Sequence, residues 1–235
     1  MRVVVGLGAV ALVLFLTLRA LFGGGTVSWN QRLTLVIETP QGEARGSAVT
    51  RVENVTSKGA LVLAEAWGTR SYWTGEAVAV EVLPGKWLFA LLEGESGTDT
   101  GHWVYAAYDL NEALAPNGHP SIEAATSKLW AQPMNVPVPL PADRMPMMVS
   151  FGDITKPETV RKVDPEGLAA VFGEGVRLKA VTLEITDEPV TEGRVGEVLG
   201  WFGPYPEPAL GSATGKTTDI PFYRRVYMGD FIRRP

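Results

Sequence analysis

Apolar positions along this chain change their period several times, and each change marks an element. In residues 32–38, Leu33, Leu35 and Ile37 alternate with Arg32, Thr34 and Glu38, the period of a half-buried strand. The turn-rich run TPQGEARG follows, and residues 47–55 resume an extended pattern, so two strands are expected here. Residues 76–83 and 86–92 repeat the plan around Pro84-Gly85, a dipeptide that reverses the chain between two apolar runs. The period then lengthens. Trp103, Val104, Ala107, Leu110 and Leu114 recur near 3.6 until Pro116, which predicts a helix. SIEAATSKLW predicts a second short helix with Ser121 at its N-cap.

Residues 131–146 carry prolines at 133, 137, 139, 141 and 146. Proline lacks the backbone donor, so this segment is no central strand or helix. It reads as an extended loop, and 132–146 is the expected place for an internal boundary. Residues 147–151 read as a buried strand. DPEGLAAVFGEG reads as a helix with Asp164 as cap, Pro165 in the first position and Gly173 as stop. VRLKAVTLEIT is the clearest late strand. Its phase shifts between Leu178 and Val181, which predicts a bulge near Ala180. Residues 194–235, rich in glycine, proline and aromatics, read as a loop-like tail.

The N-terminus departs from all of this. Residues 3–18, VVVGLGAVALVLFLTL, hold no charge, and Ala20, Leu21 and Phe22 extend the run past Arg19. As a helix, twenty residues span about 30 Å, the thickness of a bilayer core, with Arg19 snorkelling to the interface. Gly23, Gly24 and Gly25 then end it. A cleaved secretory signal is the competing reading, but no A-x-A site is present and Arg19 sits where a cleavage region is small and neutral. Residues 1–25 are therefore expected to be a single-pass transmembrane anchor. Arg2 and the short N-tail favour a cytoplasmic N-terminus and a domain on the outer side. Trp29, just beyond, is a candidate for the interfacial belt.

The chain has 235 residues, a net charge of −5 and no cysteine. Thiolate chemistry, disulfides and cysteine metal sites are excluded, and an acidic balance is a poor footprint for nucleic acid. Two stretches, LTLVIETPQGEARGSAV (33–49) and MPMMVSFGDITKPETVRKVDPEGLAAVFGEGVRLKAVTLEITDEPVTEG (145–193), resemble a family of small bacterial proteins with an N-terminal membrane segment. The resemblance implies a bacterial chain and a genuine anchor, and with them an inner-membrane location and a periplasmic domain. It implies no catalytic residue.

Candidate chemistry is thin. GSATGKTT (211–218) looks like a phosphate-binding loop, but Leu210 stands where the first glycine is required, and no strand leads in and no helix follows, so no nucleotide is expected. His102 and His119 are the only histidines. His102 and Asp109, two helical turns apart, could share a face with Glu112 nearby, yet both histidines sit in turn-like contexts. Ser47 has no G-x-S-x-G elbow around it. Glu93, Glu95 and Asp99 cluster without EF-hand spacing and read as a solvated loop. No cofactor and no metal is expected.

Aromatics offer more. WGTRSYW places Trp67, Tyr72 and Trp73 together, and YRRVYMGDFIRRP sets Arg224, Arg225, Arg233 and Arg234 among aromatic residues. Exposed, such groups contact an acidic partner or lipid headgroups. Trp67, Tyr72, Trp73, Arg224 and Arg225 are the candidate partner contacts. The remaining tryptophans are expected in the core. The sequence thus predicts a mainly-β α+β soluble domain at 26–193 behind a single N-terminal transmembrane helix. Its expected role is a non-catalytic accessory or interaction subunit with a membrane and a protein partner. The alternative is an enzyme with an unrecognised hydrolase or metal site.

Overall fold

A computed structural model describes residues 24–57, 68–94, 100–110, 122–202 and 221–234. The anchor at 1–23, the motif at 211–218, Trp67, His119, Glu112, Glu95 and Asp99 lie outside the described residues. No described helix is long and apolar enough to cross a membrane.

The described chain is mainly β. In order it runs β1 (Gly24–Thr39), β2 (Gly42–Ser57), β3 (Gly68–Glu76), β4 (Val78–Leu83), β5 (Lys86–Gly94), α1 (Thr100–Ala107), α2 (Ile122–Trp130), β6 (Val138–Pro139), β7 (Pro146–Phe151), β8 (Val160–Val163), α3 (Ala169–Phe172), β9 (Arg177–Thr186), α4 (Arg194–Val198), α5 (Met228–Phe231) and β10 (Ile232–Arg233). One sheet has the order β10-β3-β2-β1-β9-β6 and a second has β4-β5-β7-β8.

The chain divides into two compact units. One is Met1–Ser28 with Glu53–Tyr72, and the other is Trp29–Val52 with Trp73–Pro235. In the first, the described residues are strand ends, with Asn54 buried and the hydroxyls of Thr56 and Thr69 3.2 Å apart. Everything that follows concerns the second.

Its local signals act as physics demands. Pro84-Gly85 joins β4 to β5, and Gly85 takes the left-handed φ of +72° that the reversal needs. β1 and β9 pair antiparallel, and the register slips between Val36 and Ile37, which face Ala180 and Leu178. The extra residue is the expected bulge; it restores Val181, Leu183 and Ile185 to the buried face. β5 is buried on both faces, since the neighbours Leu88 and Phe89 are each fully enclosed. That is why its sequence reads as a continuous apolar run rather than an alternation.

Helix α1 joins the two sheets. It contacts both β5 and β9. Thr100 Oγ1 donates to the Leu92 carbonyl (2.8 Å), and the Thr100 carbonyl accepts from Gln31 Nε2 (2.8 Å). Gln31 Oε1 in turn accepts from Trp29 Nε1 at 3.0 Å, and Trp29 meets Tyr105 edge to face. This chain satisfies buried polar groups in series, as a low-dielectric interior requires. Trp29 is therefore a core residue and not part of an interfacial belt.

Several expectations shift. Helix α1 stops at Ala107 rather than near Pro116, because Asp109 turns left-handed (φ +50°) and Leu110 N–H bonds the Tyr105 carbonyl. The helix expected from Asp164 begins only at Ala169. Asp164 Oδ1 accepts the Glu166 N–H, and that turn competes with helix. Gly173 ends the helix as read, at φ +110°. The proline segment stays within the second unit as an edge. Val138 and Pro139 pair with Leu183 and Thr182, and prolines 137, 139 and 141 deny the outer edge its donors.

The largest correction is at the C-terminus. The described parts of 194–235 are not a loose tail. Val195, Leu199, Val226, Phe231 and Ile232 bury themselves with Ala77, Ala79, Phe89, Leu91, Val149, Phe151 and Val160 in one cluster. Phe231 lies 5.7 Å from both Phe89 and Phe202, centroid to centroid. The four-stranded sheet has an apolar face to cover, and these side chains cover it.

β2 passes so close to β4 that Gly46 has no room for a side chain. A Cβ there would lie 2.6 Å from Val80 Cγ2 and 2.7 Å from the Ala79 carbonyl oxygen. A backbone oxygen cannot swing aside, so Gly46→Ala is expected to cost about 2–3 kcal/mol. Urea unfolding measures it, and a neutral result would mean the strands separate freely.

Candidate functional site

The C-terminal segment carries four arginines (224, 225, 233, 234) against one aspartate (230), in a chain whose net charge is −5. The fold sets arginines from this segment and from α4 on aromatic rings. Arg233 stacks on Trp73 at 4.3 Å from the ring centroid, and Arg194 on Trp87 at 5.3 Å. Arg224 lies 5.6 Å from the Tyr223 ring and Arg225 5.7 Å from that of Phe222. Guanidinium over an aromatic face is attracted by the ring quadrupole, which orients the arginine while leaving its edge to donate hydrogen bonds.

The tightest pair is placed by strand pairing. Ile232 and Arg233 of β10 pair with Glu76 and Gly75 of β3, which sets Arg233 over Trp73. Gly75 must be glycine here. Its φ is +141°, and a Cβ would lie 2.9 Å from Thr50 Cγ2 and 3.1 Å from the Val49 carbonyl oxygen. Beside the pair opens a cleft of about 390 Å³ lined by Thr74, Glu76, Thr191, Glu192, Arg233 and Arg234, among others.

Glu76 forms the floor of that cleft and is buried. Its two carboxylate oxygens accept the Gly193 N–H (2.6 Å) and the Val195 N–H (2.9 Å). Helix α4 has no side-chain cap of its own, so a carboxylate more than a hundred residues away satisfies its first donors. Thr191 ties the same segment to β2, exchanging bonds with Val49 through its hydroxyl (2.9 Å) and its N–H (3.0 Å). The Glu76 carboxylate is thereby committed to structure. Glu76→Ala is expected to cost about 2–4 kcal/mol, because two buried N–H groups lose their acceptor. Glu76→Gln keeps one acceptor and is expected to cost less; denaturant midpoints rank the two.

Asp230 lies behind the arginines. Burial, and secondarily the negative charge of Glu93, push its carboxyl up to about 6, against the backbone N–H of Tyr227 and the charge of Arg233. Its Oδ2 accepts that Tyr227 N–H at 2.8 Å. Glu93, one of the expected loop acids, is thus a half-buried β5 residue turned toward Asp230.

Of the candidate partner contacts, Tyr72 is exposed (53%), Trp73 is half-buried beneath Arg233, Arg225 is exposed and Arg224 half-buried. Trp67 lies outside the described residues. The sequence did not point to the Trp73–Arg233 partnership, which spans 160 positions and leaves no local pattern. It also missed Trp130, expected in the core but 56% exposed.

The enzymatic candidates are not brought together. Asp109 lies beyond the end of α1, so it does not share a helical face with His102, and both are exposed. Ser47 is an exposed strand residue of β2. Among the described residues no group of three His, Cys, Asp or Glu is placed to hold a metal ion. A wider cleft of about 670 Å³ is lined by Asp143, Asp164, Glu166 and Arg177, among others. There Asp164 is engaged by its own turn, Arg177 pairs with Glu38 at 2.5 Å, and Asp143 pairs with Arg144 at 3.3 Å.

The chain matches no protein-family model, and no curated protein or solved structure is detectably similar to it.

Proposed function

We propose that this chain is a membrane-anchored, non-catalytic accessory subunit that binds an acidic protein partner through its arginine and aromatic face. The observation that carries the reading is the Trp73–Arg233 stack beside a cleft, at the edge of an otherwise acidic protein. Ring-held arginines lose little side-chain entropy when they bind carboxylates, and tryptophan, tyrosine and arginine dominate binding energy at interfaces. Tyr72 and Arg225, both exposed, extend the face. The apolar run at 3–22 supplies the anchor, and the flanking arginine pattern places the domain in the periplasm of a bacterial cell. No nucleic acid, nucleotide or cofactor enters this function.

The test is purification of the full-length protein from membranes in mild detergent, at native expression level. The expected result is retention in the membrane pellet after alkaline carbonate washing, and one companion protein recovered in stoichiometric amount. Release into the wash removes the anchor. A clean monomer or homo-oligomer removes the accessory role.

A further inference from the structure

Five large apolar side chains are well exposed among the described residues, and three of them fall within seven positions: Trp130 (56%), Met134 (46%) and Val136 (44%). They sit where α2 gives way to the proline segment. Their exposure is built in. Asn135 adopts a left-handed φ of +59°, its N–H bonds the Ile185 carbonyl (2.7 Å) and its Oδ1 accepts the Thr186 hydroxyl (2.7 Å). One turn earlier, Gln132 N–H closes on the Leu129 carbonyl at 3.0 Å. The loop is therefore pinned to the end of β9 with its apolar groups outward, while Ala125 and Leu129 of the same helix are buried.

We infer that the loop 130–136 rests on the lipid surface beside the anchor, inserting Trp130, Met134 and Val136 at headgroup depth. The inference rests on the anchor reading above. Three further facts choose lipid over a protein partner. Thr186, to which Asn135 is bonded, pairs with Asn30 of β1, only eight positions after Phe22. Eight residues of chain span at most about 29 Å, so the loop lies at the end of the domain nearest the anchor. Residues 124–142 contain Lys128 and no carboxylate, which suits an anionic headgroup layer. Asp187 and Glu188 follow at the strand end, and Glu188 is paired with Arg32. The adjacent edge strand is blunted by prolines 137, 139 and 141, which disfavours a partner strand. Tryptophan with small apolar neighbours is the composition of a bilayer interface.

The chain has no cysteine, so single labels are clean. Full-length Met134→Cys, Leu12→Cys and Lys86→Cys carry an environment-sensitive fluorophore in vesicles of phosphatidylcholine and phosphatidylglycerol containing headgroup-level nitroxide lipid. Position 86 follows the β4–β5 turn and reports water. The expected result is several-fold stronger quenching at 134 than at 86, with the label at 12 deep in lipid. If 12 is in lipid and 134 matches 86, the inference is overturned and the anchor stands. A label at 134 shielded from both lipid and water means that protein covers the loop, which also overturns it. If 12 is not in lipid, the anchor reading falls and takes the inference with it.

Discussion

Phe231→Ala is expected to cost about 3–5 kcal/mol of stability, the largest effect of any single truncation argued above. The ring is fully enclosed, with Phe89, Phe151 and Phe202 around it. Phe89 and Phe151 sit on paired strands that cannot collapse into the space left behind. The carbonyl of Phe231 also accepts the Ala77 N–H at 2.7 Å, so the residue fastens the C-terminal segment to the start of β4. Loosening it frees Ile232 and Arg233 from β3, and with them the stack on Trp73. Denaturant unfolding followed by tryptophan fluorescence reads both consequences. A loss below about 1 kcal/mol would mean that the segment only lies on the surface.

Asp230→Asn is expected to change the pH dependence of stability more than its value at any one pH. The carboxyl titrates near 6 in the folded protein, above its ordinary 3.8, because it is buried and faces Glu93. The folded state therefore holds the proton more tightly than the unfolded state. The stabilisation this gives is complete below about pH 3.8 and is lost as pH rises through about 6. Its size is about 2 kcal/mol, after allowing for partial screening by solvent. Asparagine stays neutral and still accepts the Tyr227 N–H, so its stability curve lacks this component. The difference between variant and wild type, measured by urea unfolding from pH 4 to 7.5, should move in favour of the variant as pH rises. Parallel curves would mean that Asp230 is solvated.

What the sequence revealed and what it concealed divide by range. The β4–β5 reversal needs only Pro84-Gly85 and two apolar runs, all within a few residues. The slip in β9 shows as a phase change within one strand, and the structure places it at the Ala180–Leu178 step. Helix ends were harder, because they turn on competing local bonds. Asp164 spends its side chain on a turn, and Asp109 leaves the helical region two residues after α1 ends.

The candidate site was legible only in pieces. Tyr72, Trp73, Arg224 and Arg225 stood out by composition, but Arg233 and Trp73 meet only because β10 closes on β3. Glu76 carries no signal at all, being a strand-end carboxylate whose acceptors' partners lie at 193 and 195. Val226, Phe231 and Ile232 are spaced too irregularly for a period of 2 or 3.6, so the segment read as a tail although it buries the sheet. Trp130 misled in the opposite direction, since tryptophan is usually buried.

The central claim is that the arginine and aromatic face binds the partner. The most direct measurement compares the companion recovered with full-length wild type, with Arg225→Glu/Arg233→Glu and with Lys86→Glu, at equal expression and after unfolding curves show all three folded. The account predicts at least about a tenfold loss for the double variant, on charge reversal at an interface, and full recovery for Lys86→Glu. Equal recovery from all three proteins would contradict it.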